Sequence, residues 1–196
     1  MLQGPMLWKL LKRHPGAAIA IGIVVVVLVR VGFLPLFGGL GYEYSLACGL
    51  LLPAVTAVWT AGSIASSRER QPLGSVLAGL GRGASLAGLA LVIGLAHGLR
   101  AGVCDLSGGL AGFLLGPGVG ALVAGAWGAL AGEIARSRKR KRLVAVLVAL
   151  AGPIGGALLS VWRFYSSPMI FAFDPFVGYF SGTLYDTVVD AGAALL

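Results

Sequence analysis

Charge is scarce in this chain. Asp, Glu, Lys and Arg make up only 11% of its 196 residues, and the acids number seven. A soluble domain carries about 25% charged and about 45–50% apolar residues. Here 58% of the residues are apolar and the mean hydropathy is +0.93. So little charge cannot cover a water-facing surface. The composition excludes an ordinary soluble fold and points to an integral membrane protein. Cysteine is nearly absent as well. Cys48, Cys104 and two histidines do not have the spacing of a zinc site. The chain has no GxxxxGK(S/T) phosphate loop, no HExxH and no GxSxG. Soluble-enzyme chemistry therefore has no foothold, and no catalytic residue, cofactor or metal is expected.

What the sequence does have is long apolar runs rich in glycine, 32 residues in all. Small residues let membrane helices approach closely. A transmembrane barrel would show alternating segments of about ten residues instead. The runs predict an all-α, polytopic bundle with five spans: Gly16–Phe37, Tyr44–Ile64, Gly83–Leu99, Leu110–Ile134 and Leu143–Trp162. The third span has an alternative start near Leu73, which would place Arg82 in its inner half with the side chain snorkelling to the interface. The chain thus divides into an amphipathic N-terminus (residues 1–15), a spanning region (16–162) and an aromatic C-terminal segment (163–196).

Orientation follows from the basic residues, because cytoplasmic loops hold the excess of Lys and Arg. With the N-terminus inside, five spans put 12 of the 15 basic residues on the inner side, including the run Arg136–Arg142. The expected location is a cell (inner) membrane. The net charge of +8 then belongs mostly to a face that meets anionic headgroups, each Lys or Arg attracted by about 1 kcal/mol. Nucleic acid is not expected as a partner, since the basic run lacks interleaved aromatics for base stacking.

A few polar residues stand out. Arg30 lies inside the first apolar run, where a charge costs about 2.5–3.5 kcal/mol. It is expected to snorkel to the outer interface and to pair with Glu43 across the following loop. Glu133, at the inner end of the fourth span, is expected to be neutralised by nearby arginines, with ion coupling as the sharper alternative. Cys48 and Cys104 both fall toward the outer side, where either a disulfide forms or Cys48 is a buried apolar thiol. His97 is expected at the outer interface. Pro53, Pro117 and Pro153 lie within spans and are expected to kink them. Around Pro117, the run Gly116–Gly120 either kinks the fourth span or breaks it into half-helices of the kind that form transporter sites.

After Arg163 the composition changes. Nine of the 17 aromatics fall between Trp162 and Tyr185, a pattern suited to the headgroup level. Asp174-Pro175 reads as an N-cap followed by Pro at the first helical position, starting a short helix. Thr183–Asp186 reads as a capping box that opens a further helix. With 13 residues from Leu184 to Leu196, too few to cross, that helix either lies at the interface or is the first part of a sixth span in a longer natural chain, and the second is expected.

Two function classes remain. The first is a permease-type transport domain. The loop Ser66–Val76 (SSRERQPLGSV) resembles the coupling loop of type-2 ABC exporter permeases, although it lacks the Gly-Thr that usually follows the acid. The resemblance implies a separate ATPase and a dimer, and it assigns no family. The second class is a non-catalytic membrane anchor or scaffold for an extracytoplasmic domain. A homo-oligomer or a partner membrane subunit fits either class.

Overall fold

The computed structural model describes residues 15–67, 71–102, 105–166 and 171–181. It shows an α-helical membrane bundle. Helix α1 is Pro15–Val31, α2 is Tyr42–Ser66 and α3 is Pro72–Ala101. Helix α4 spans Leu106–Arg136 and α5 spans Lys141–Ser166. Four of these, α2 to α5, are long and apolar enough to cross a membrane. Helix α1 has 17 residues, about 26 Å at 1.5 Å per residue. It is shorter than the Gly16–Phe37 expected, because hydrogen-bonded turns at Phe33, Leu34 and Phe37 replace its last part.

Local signals explain the helix ends. Pro72 sits in the first turn of α3, where its missing N–H is not needed. The third span therefore takes the longer alternative and carries Arg82 within it. It stops at Gly102, whose φ of +91° suits glycine and whose N–H donates to the Gly98 carbonyl at 2.8 Å. Asp105 then caps α4 by accepting from the Gly108 amide at 3.0 Å. Helix α4 thus begins four residues before the expected Leu110.

Helices α2 and α4 form the central pair. Helix α3 packs on α4, α5 packs on both α2 and α4, and α1 lies across α2 and α3. The core divides along its length. One half holds larger side chains, among them Leu28, Tyr44, Leu52, Leu86 and Phe113. In the other half a cluster of buried alanines from α2, α4 and α5 dominates, with Ile64 buried beside it. The α2–α3 and α4–α5 connections meet at the alanine end, here called the basic end. There Arg136 donates to Ser67 at 3.2 Å and Ser75 donates to Glu133 at 3.0 Å.

The opposite end carries a β-hairpin, β1 (Phe171–Asp174) and β2 (Gly178–Ser181). Its antiparallel register pairs Phe171 with Ser181 and Asp174 with Gly178. This corrects the short helix expected from Asp174-Pro175. Asp174 does accept from two following amides, as an N-cap would. The chain turns back nonetheless, because Gly178 has φ +93°, a conformation that ends a helix and permits a turn. The expected capping box at Thr183–Asp186 and the sixth helix lie outside the described residues. So do the amphipathic N-terminal stretch up to residue 14 and Cys104.

Candidate functional site

The hairpin does not lie on the surface. Its tip enters the bundle between α2, α4 and α5. The carbonyl oxygens of Val177 and Phe176 press on Gly49 of α2 and Gly120 of α4, and a Cβ at either glycine would strike them. At Gly178 a Cβ would stand 2.7 Å from the Gly116 Cα, and at Gly156 of α5 one would stand 2.7 Å from Asp174 Oδ2. Glycine is what makes the notch. Alanine at these positions would close it.

Asp174 fastens the tip. It is 1% exposed. Its Oδ1 accepts from the amides of Phe176 and Val177, each at 2.8 Å, and its Oδ2 accepts from the Ser160 hydroxyl at 3.1 Å. A buried carboxyl group is tolerated only when hydrogen bonds replace its lost water. Three donors supply that here, two from its own turn and one from α5.

Above the tip is a cavity of about 780 Å³ that opens at the hairpin end. The α1–α2 connection, the start of α4 and Val177 line it. The polar groups on its wall include Tyr42, Ser45 and Asp105. Hydrogen bonds from the Gly108 amide and the Ser107 side chain hold the Asp105 carboxyl below its ordinary range. Gly116 and Pro117 lie on the wall deeper in. They belong to a π-helical turn, Leu114–Gly118, in the first half of α4. Pro117 has no N–H to give to the Phe113 carbonyl. The helix widens, and the Val119 amide reaches back to Leu114. Between the two alternatives open in the sequence, α4 therefore stays continuous through a π-turn. Gly116 is ten residues from Leu106, so the turn lies about 15 Å along a helix that is about 46 Å long.

Below the notch, on α2, the hydroxyls of Thr56 and Thr60 are fully buried with no hydrogen-bond partner among the described residues. Thr60 faces α4 at Gly128. The seam ends at the basic end, where Arg136 pairs with Glu133 at 2.9 Å. Ser75 adds a third-helix contact to the same carboxylate.

The other singled-out residues are scattered. Arg30 is exposed at the end of α1 and Glu43 is half-buried in the first turn of α2. No ion pair joins them among the described residues, where Arg136–Glu133 is the only salt bridge. The loop after α1 is held from α3 instead. Arg100 donates to the Gly32 carbonyl at 2.8 Å and lies 4.6 Å over the Phe33 ring, while His97 meets the same ring edge-on at 5.2 Å. Cys48 is a fully buried free thiol beside Tyr44. The Tyr44 hydroxyl donates to the Ala90 carbonyl at 2.6 Å. Pro53 and Pro153 lie buried inside α2 and α5.

No family model, curated protein or solved structure matches this chain.

Proposed function

We propose that this membrane protein is a permease-type domain for a small solute, with the cavity at the hairpin end as its entrance. The observation that carries the reading is the cavity's depth. It runs from the bundle surface to a π-helical turn about a third of the way along α4. π-Turns concentrate at functional sites, and non-helical backbone at membrane depth is tolerated where it lines a cavity or is buried in protein. The mixed wall, mostly apolar with one carboxylate and two hydroxyl side chains, suits a small neutral or cationic solute. The unpartnered Thr56 and Thr60 hydroxyls continue a polar line toward Glu133. In this reading the hairpin tip closes the path beneath the entrance. No catalytic step is assigned to it. The charge bias puts the basic end in the cytoplasm and the entrance outside, in a cell membrane. A reporter fused after Arg142 is then cytoplasmic, and an external one would overturn the orientation.

The test uses a chain with Cys48 and Cys104 replaced, carrying Thr56→Cys or Thr60→Cys. Small charged thiol reagents are applied from each side of sealed vesicles. A permease lets the reagent reach these seam positions, Thr56 from the entrance side and Thr60 from the basic end. In an anchor or scaffold the α2–α4 seam never opens. Silence at both positions would refute transport and favour that alternative.

A further inference from the structure

A second cavity, of about 900 Å³, lies on the flank of the bundle at the basic end, well away from the entrance. Its walls are largely apolar, with Ile19 of α1, Val58 of α2 and the Trp59 ring among them. Ile19 is 63% exposed, so in a bilayer this wall faces acyl chains. Two cations stand in the same cavity, Arg82 from α3 and Arg142 from the start of α5. Arg82 is the unusual one. Its guanidinium lies 5.4 Å over Trp59, and its Nη1 is buried with no hydrogen-bond partner among the described residues. A guanidinium in apolar surroundings without an acceptor is costly, and it favours an anionic oxygen, which it binds through charge-assisted hydrogen bonds.

The depth fits a lipid headgroup. Arg82 is ten residues from Pro72, about 15 Å along α3. With 30 residues, α3 is about 45 Å long, some 15 Å more than the hydrocarbon core. With α3 centred on that core, the Arg82 Cα lies about 8 Å inside its edge, a distance that its long side chain covers by snorkelling toward the headgroups. Arg142, the second residue of α5, lies at the same end.

We propose that this groove binds one anionic phospholipid, its phosphate held by Arg82 and Arg142 and its acyl chains lying along α1 and α2. Charge complementarity selects the occupant: two arginines in an apolar groove that opens to the bilayer. The proposal goes beyond the transport reading and does not depend on it.

Trp59 reports on the site directly. The full chain carries Trp8→Phe, Trp127→Phe and Trp162→Phe and is reconstituted in phosphatidylcholine. Brominated phosphatidylglycerol or brominated phosphatidylcholine is then titrated as quencher. The anionic lipid is expected to quench Trp59 several-fold more strongly. R82Q or R142Q each lowers that preference about fivefold at most, the share of one basic residue near an anionic surface, and R82K keeps most of it. R138Q with R140Q, which removes charge outside the groove, leaves the preference in place. Because the three Trp substitutions and R82Q touch the interior, native mass spectrometry of the otherwise unchanged chain repeats the comparison. There R142Q, at an exposed position, is expected to retain less phosphatidylglycerol. Four results overturn the proposal: equal quenching by the two lipids, quenching by neither, a preference unchanged in both R82Q and R142Q, or a preference lost only in R138Q with R140Q.

Discussion

Replacing Asp174 with alanine is expected to release the hairpin from the bundle. The carboxylate satisfies three donors at a site it shares with almost no solvent, the amides of Phe176 and Val177 and the Ser160 hydroxyl. Each buried donor left without a partner costs about 1–3 kcal/mol. The Ser160 hydroxyl can turn to another acceptor, and the two amides regain water once the tip undocks. The net change in docking is then about 3 kcal/mol, roughly a hundredfold in the docked-to-undocked ratio. The readout is a cysteine at position 177 in a chain with Cys48 and Cys104 replaced. Val177 is 5% exposed, so Val177→Cys reacts slowly with a water-soluble maleimide while the hairpin is seated. With Asp174→Ala the labelling rate is expected to rise by one to two orders of magnitude. Asp174→Asn keeps an acceptor for the two amides, and its NH2 can donate to the Ser160 oxygen, so its effect is expected to be less than tenfold. Equal rates for the parent and Asp174→Ala would refute the view that this carboxylate holds the tip. Equal effects of Ala and Asn would refute the hydrogen-bond reasoning.

Gly120→Ala places a methyl on the Phe176 carbonyl oxygen, and the cost of such overpacking is about 1–3 kcal/mol. Labelling of Val177→Cys should rise about tenfold or more. Gly88→Ala, which meets nothing within 4 Å, should leave it unchanged and should not lower the melting temperature. The cap on α4 is expected to depend on pH. Asp105 has its carboxyl held below the ordinary range in the folded chain. Its contribution is therefore complete above the unfolded value of about 3.9 and is lost as pH falls through the lowered folded value. Protection of the Gly108 amide from hydrogen exchange, relative to its intrinsic rate at each pH, should hold down to about pH 4 and fall below it. Asp105→Asn should keep the cap and abolish that pH dependence, and an unaltered acid dependence in this variant would count against the assignment.

The spanning helices were legible because apolar length is a signal that needs no partner. Helices α2 and α5 begin and end within four residues of the sequence reading, and the polar breaks at residues 66–71 and 136–141 separate them plainly. The hairpin was not legible as such. Asp174-Pro175 is a good start for a helix and an equally good start for a β-turn, with Asp at the first and Pro at the second position. Gly178 was the deciding residue, since a positive φ there turns the chain. The pairing of Arg30 with Glu43 was inferred from closeness in sequence. The structure ties the same loop from α3, through Arg100 and His97, some 65 residues further along the chain than Gly32 and Phe33. Contacts between distant segments leave no periodic trace in a single sequence. The notch itself had a faint signal, glycines at 49, 116, 120 and 156 on three different helices. In a chain this rich in glycine, nothing distinguished those four from the rest.

The π-turn and the hairpin tip occupy the same place, and that makes Pro117 a test of which one shapes the other. Gly116 touches Gly178, and Gly120, one turn further on, touches Phe176. The spacing between these two seats depends on how α4 is wound between them. Without an N–H at residue 117, the Phe113 carbonyl has no α-helical donor and the winding opens to the i+5 bond between Val119 and Leu114. Pro117→Ala restores the donor, and a Pro-to-Ala change within a helix favours the α form by up to about 3 kcal/mol. If the proline sets the winding, α4 tightens and the seats move apart from the tip. Val177→Cys labelling then rises while the bundle's melting temperature holds or increases. A destabilised helix would lower both the melting temperature and the protection of Val177 together. Unchanged labelling in Pro117→Ala would mean that the seated hairpin, and not the missing donor, keeps α4 open.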